Sequence, residues 1–129
     1  MSQRRLLIVD DEPKIRAMLA ECLSQEPLTI DTAASGEEAL DKIAQAAPDV
    51  MILDVKMKGM SGLDVLRHVR ASHPALTVLI ITGFDDERVE TDAAQLGALG
   101  VIHKPLVLAT VRQTIRDALT RLPPEAPIR

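Results

Sequence analysis

Five polar residues of this chain follow short apolar runs. "LLIV" leads into Asp10 and Asp11, "VMIL" into Asp54, "VLII" into Thr82, and "GVIH" into Lys104 with Pro105 behind it. Each has an ordinary reading alone: a helix cap, a turn acid, a strand end, a solvated charge. As a set they resist it. Carboxylates that converge without a cation repel one another and hold their protons more tightly. A hard divalent ion would relieve that repulsion, and oxygen ligands with room for waters suit Mg²⁺. Lys104 cannot ligate a metal, but it can balance the cluster's charge or bind an anion beside it.

That chemistry requires a fold that brings these residues to one edge. The runs at 6–9, 50–53 and 78–81 are continuous rather than alternating, as in parallel strands covered on both faces. "LTIDTA" (28–33) alternates and suits an edge strand; "GVIH" (100–103) is short and reads as the other edge. Helical patterns lie between. In 13–25, Ile15, Met18, Leu19, Cys22 and Leu23 fall on one helical face, with Pro13 in the tolerant first turn. Ser35 and Glu38 read as a capping box opening a helix to Ala47, with Ala39, Leu40, Ile43 and Ala46 on its apolar side. Segments 63–72, 86–98 and 106–122 complete the helices. The alternation predicts a single doubly wound (βα)5 domain over residues 1–122 with a five-stranded parallel sheet. The edge assignments favour the strand order 2-1-3-4-5. In such sheets the functional crevice lies beyond the carboxyl ends of the strands, where the five polar residues fall. Residues 123–129, "PPEAPIR", read as a proline-rich tail or the start of a linker.

Composition narrows the class. The 129 residues carry 15 Lys and Arg against 19 Asp and Glu, without a basic footprint for nucleic acid. Arg112, Arg116 and Arg121 read as a solvated helix face, and His68, His73 and His103 lack metal-ligand spacing. The single cysteine, Cys22, cannot form an internal disulfide and reads as a buried structural thiol in a reducing compartment. No apolar run approaches a membrane span, and the N-terminus lacks the pattern of a signal peptide. Phe84 is the only aromatic residue. These features predict a cytoplasmic globular domain.

Taken in order and spacing, "VDDEP", "LDVKMKGMSG", "ITG" and "HKP" resemble the receiver domain of bacterial two-component response regulators, chemotaxis members included, over residues 4 to 122. The resemblance implies a flavodoxin-like fold and the sheet order 2-1-3-4-5. It implies that Asp54 is the phosphoacceptor, attacking the phosphoryl group of a phosphohistidine on a sensor kinase or phosphotransfer protein. Asp11, Asp54 and the backbone carbonyl of Lys56 would coordinate Mg²⁺, with Asp10 binding through water. Thr82 and Lys104 would each hold a phosphoryl oxygen, and Pro105 would follow a cis peptide bond. Such a protein is a signalling switch that modifies itself rather than a turnover enzyme. It controls an output domain beyond residue 129 or a separate partner, with the 86–121 region as its responsive surface and candidate homodimer face. Neither nucleic acid nor membrane binding is implied for this domain.

The chain departs from the family pattern in informative places. Lys58 stands where proline is frequent, which removes a fixed φ from that loop. Val101 stands where Phe or Tyr is common, and a β-branched side chain cannot make the same rotamer exchange. Phe84 is then the only ring left for a switch role. Lys56 and Phe84 flank the expected path of hydrolytic water, which predicts slow loss of the phosphoryl group. Two other readings use similar parts. A flavodoxin-like cofactor binder needs a phosphate loop where this chain has "DDEP", and a haloacid-dehalogenase-like phosphatase needs a second acid where it has Lys56.

Overall fold

The structure, a computed structural model, describes residues 3–83 and 87–123. In chain order the elements are β1 (Arg4–Val9), α1 (Pro13–Cys22), β2 (Leu28–Ala33), α2 (Gly36–Gln45) and β3 (Val50–Asp54). They continue as α3 (Gly62–Ser72), β4 (Thr77–Thr82), α4 (Glu87–Gln95), β5 (Gly100–His103) and α5 (Leu108–Arg121). Every pairing is parallel and the strand order is β2-β1-β3-β4-β5. The edge strands are therefore those expected from the alternating and the shortest apolar runs.

Continuous apolar strands follow from cover on both faces. Leu7, Val9, Met51, Leu53, Val78 and Ile80 point to the side that carries α2, α3 and α4. Their neighbours Leu6, Ile8, Val50, Ile52, Leu79 and Ile81 point to the side packed by Leu19 of α1 and by Val111, Ile115 and Ala118 of α5. Every residue of β3 is buried, Asp54 included. At the edge, β2 instead exposes Thr29 and Asp31 between buried ends.

Local chemistry moves some helix ends from their expected places. The helix expected over 86–98 is α4, which stops at Gln95 because Gly97 adopts φ 77°. Gly97 N–H reaches Ala94 O at 3.0 Å and Ala98 N–H reaches Ala93 O at 2.9 Å, a Schellman ending. The capping box expected at Ser35 is half formed. Ser35 Oγ accepts from Glu38 N–H at 3.1 Å, but the Glu38 carboxylate turns to Ala34 N–H, so no reciprocal bond reaches Ser35. A complete box starts α3 instead: Asp64 N–H donates to Ser61 Oγ at 3.2 Å and Ser61 N–H to Asp64 Oδ2 at 3.3 Å. Cys22 is half-buried rather than buried, its thiol donating to the Leu108 carbonyl of α5 at 3.5 Å. Among the described residues no helix is long and apolar enough to cross a membrane.

Because Ser61 Oγ both accepts from Asp64 N–H and donates to Asp64 Oδ2 at 3.1 Å, Ser61→Ala should lower unfolding free energy by about 1 kcal/mol. Denaturant titration should show a larger loss than for Ser35→Ala, which removes a one-sided cap.

Candidate functional site

Register brings the strand-end residues together. Val9 pairs with Leu53, so Asp10 and Asp54 leave adjacent strands at the same level. Asp54 pairs with Ile81 and Thr82 with His103, so Thr82 and then Lys104 stand one step further along each. The Lys104 N–H donates to the Thr82 carbonyl at 2.8 Å, continuing the ladder past the end of β5. The peptide bond from Lys104 to Pro105 is cis, as expected.

The acids form one cluster. Asp10, Asp11 and Asp54 each present a carboxylate oxygen within 4.8 Å of the others. Asp10 and Asp54 are almost wholly buried, at 1% and 2% exposure, with Thr82 beside them at 4%. Asp10 Oδ1 accepts from Glu12 N–H at 2.9 Å, and the Arg16 guanidinium donates to the Asp10 carbonyl at 2.7 Å. The other oxygen of that carboxylate, Oδ2, and Oδ1 of Asp54 are buried without a hydrogen-bond partner. Lys104 Nζ lies 3.3 Å from Asp54 Oδ1, an ion-pair distance without hydrogen-bond alignment. Buried oxygens with spare lone pairs on clustered carboxylates fit a hard, oxygen-seeking cation such as Mg²⁺.

Burial, followed by the charge of Asp10, raises the pKa of Asp54 from an ordinary 3.8 to about 6, against the opposing pull of Lys104. Burial also raises that of Asp10, opposed by the Glu12 N–H bond. The metal-free site therefore resists ionisation even with the lysine present.

Two supports were not legible from residue types. Lys58 N–H donates to Asp11 Oδ2 at 2.9 Å. A proline there would have no N–H to give, so the departure from the family pattern supplies a donor for one of the acids. Gly62 N–H donates to the Val55 carbonyl at 2.9 Å, and a Cβ on Gly62 would stand 2.2 Å from the Asp54 carbonyl oxygen. The start of α3 thus lies directly against the main chain of Asp54. Gly59, at φ 77°, supplies the left-handed turn between them. An open groove beside the acids is lined by Asp11, Lys56, Met57, Lys58 and Ser61.

Other singled-out residues lie elsewhere. Val101 is half-buried in β5, paired with Ile80, and packs against the core on the α4 side. Phe84 lies outside the described residues. His103 is exposed at the end of β5, with Nε2 2.7 Å from Glu90 Oε1 of α4. Arg116 is bound to Glu26 through two guanidinium bonds of 2.9 and 3.0 Å, so the α5 arginines are not all free surface charge.

A family model described as the response regulator receiver domain matches residues 6–116. Sporulation initiation phosphotransferase F of Bacillus subtilis (strain 168) is 31% identical over 119 residues, covering 92% of this chain and 96% of its own length. Response regulator MprA of Mycobacterium avium (strain 104) is 35% identical over 121 residues, 94% of this chain but 53% of its own. Among solved structures, the receiver domain of NtrX from Brucella abortus superposes with a TM-score of 0.84 at 32% identity, covering 91% of this chain and 99% of that one.

Two outcomes follow from the site. Because the pKa of Asp54 is raised, its penalty is absent below about pH 4 and complete above about pH 6. In EDTA, Asp54→Asn should therefore be more stable than wild type near neutral pH, by up to about 3 kcal/mol. Denaturation across pH should show the gap closing in acid; a neutral-pH gap of zero would contradict the assignment. Gly62→Ala, which forces an atom into Asp54's main chain, should destabilise by about 1–3 kcal/mol, read as a fall in thermal midpoint.

Proposed function

Because the chain belongs to the response regulator receiver domain family, phosphoacceptor modules of two-component signalling, we propose that Asp54 is the residue that takes the phosphoryl group. The observation that carries this reading is the cluster itself: Asp54 is buried at the end of the central strand, between two further acids and Lys104. In the proposed reaction a carboxylate oxygen of Asp54 attacks phosphorus. The new bond is P–O, the bond that breaks is P–N to the donor's imidazole, and its electron pair returns to that ring. Phosphoryl transfer asks a protein chiefly to position groups and to neutralise oxygens.

Asp11, Asp54 and the Lys56 carbonyl would hold Mg²⁺ directly, and Asp10 through water; the unpartnered oxygens of Asp10 and Asp54 support this set. Bound there, the ion would shield the charge that otherwise keeps a carboxylate from a phosphoryl group. Lys104 approaches Asp54 closely enough to take a phosphoryl oxygen as the charge moves outward. Thr82, beside it on β4, would donate its hydroxyl to another. Pro105 follows the lysine through the cis peptide bond.

The donor is a sensor histidine kinase or a phosphotransfer protein, and the chain acts as a switch that modifies itself. Its relatives occur in two contexts, since the match spans nearly all of one and about half of another. This supports two readings of the output, a partner protein or a further domain. We place the responsive surface and a homodimer contact on the α4–β5–α5 side, with Val101 packed in it in place of a ring.

Incubation with acetyl phosphate and Mg²⁺ should add one phosphoryl group by intact mass, and Asp54→Asn or EDTA should abolish the gain. No gain with acetyl phosphate or a histidine-kinase donor would reject the assignment. Lys56→Ala combined with Phe84→Ala should speed dephosphorylation severalfold, followed by loss of the phosphorylated mass over time.

A further inference from the structure

Asp10 is held almost completely, by three residues that lie outside the acid cluster. Its N–H donates to the Ala33 carbonyl of β2 at 3.2 Å. Its Oδ1 accepts from Glu12 N–H at 2.9 Å, and its carbonyl accepts from the Arg16 guanidinium at 2.7 Å. Of its hydrogen-bonding atoms only Oδ2 is left without a partner, buried within the cluster. The Arg16 bond runs backwards across six residues, from the first turn of α1 to the last residue before the Asp11 turn. The Arg16 main-chain N–H makes the ordinary first helical bond, to the Glu12 carbonyl at 3.2 Å, so the contact specific to its side chain is the one to Asp10.

The position runs against helix electrostatics. The first turn of a helix carries the positive end of the macrodipole and favours acids. The first turn of α1 contains none, and Lys14 and Arg16 stand there instead. A cation at that place is unfavourable for the helix alone, and it bonds a main-chain carbonyl rather than a carboxylate. Its geometry serves the turn.

We propose that Arg16 is a positioning residue for the cation site: by fixing the Asp10 carbonyl it sets the turn that aims Asp10 and Asp11 at one ion. The proposal rests on the reading that these acids hold Mg²⁺. Groups that orient metal ligands from behind commonly change affinity by about 10–100-fold when removed. The direction of the effect separates positioning from charge. A guanidinium near the site repels a divalent cation, so if charge alone mattered, removing it would tighten binding. If Arg16 positions the turn, removing it weakens binding.

The test is Mg²⁺ titration by calorimetry on wild type, Arg16→Met and Arg16→Lys, with denaturation of each protein in EDTA. Arg16→Met should bind Mg²⁺ at least about 10-fold more weakly. Arg16→Lys, able to offer one donor to the same carbonyl, should recover part of that loss. Unchanged or tighter binding by Arg16→Met would overturn the proposal, as would a fall in the metal-free denaturation midpoint with no change in Mg²⁺ affinity. If Arg16→Met does not fold, Arg16→Gln, too short to reach the carbonyl, is read by the same two measurements. Wild type that takes up no Mg²⁺ would instead remove the cation reading, and this proposal with it; wild type that binds beside an unaffected variant removes only the role of Arg16.

Discussion

Burial of clustered carboxylates at the end of the sheet sets the chemistry of this site, and their mutual repulsion adds to it. Asp10 and Asp54 are buried, each with an oxygen that accepts no hydrogen bond, and the cost of burying them falls on the fold. Burial is the first cause of the raised pKa of both Asp10 and Asp54, and for Asp54 the charge of Asp10 comes next. The fold tolerates this because the sheet beneath is aliphatic and covered on both sides. Charges that would be unremarkable in water are thereby made responsive to a cation or an anion. Lys104 offsets only part of the cost, since the Asp54 pKa stays raised with the lysine 3.3 Å away.

Much of this was readable in the chain. Continuous apolar runs marked the covered strands, "LTIDTA" marked an edge by its alternation, and the polar residues after each run marked the crevice. Those signals survive because side-chain direction along a strand is fixed by geometry. The unreadable parts depend on main-chain groups or on reach. Lys58 looked like a missing proline, and its contribution is an N–H that no side-chain pattern displays. Arg16 carries no signal of its role, because nothing in sequence spacing says that its guanidinium folds back to Asp10. The complete cap at Ser61 uses aspartate as the returning acid, whereas the usual signature expects Glu or Gln. Gly97 could have been read as a helix stop, being a glycine near the end of an apolar pattern.

The departures from the family pattern fall on two sides of Asp54. On the β3–α3 side, Lys58 ties the loop to Asp11, so the absence of proline exchanges a constrained dihedral for a bond to the cluster. On the β5 side, Val101 packs into the core beside α4, and a side chain with few rotamers occupies the place where a ring is common.

Gly62 closes one side of Asp54. With no room for even one carbon between α3 and the Asp54 carbonyl, the main chain on that side has no slack. Across the site, by contrast, Thr82 and Lys104 are joined beyond the end of β5 by one main-chain hydrogen bond. Any displacement of the Asp54 main chain is therefore closed off on the α3 side, whatever reaches its carboxylate from the other.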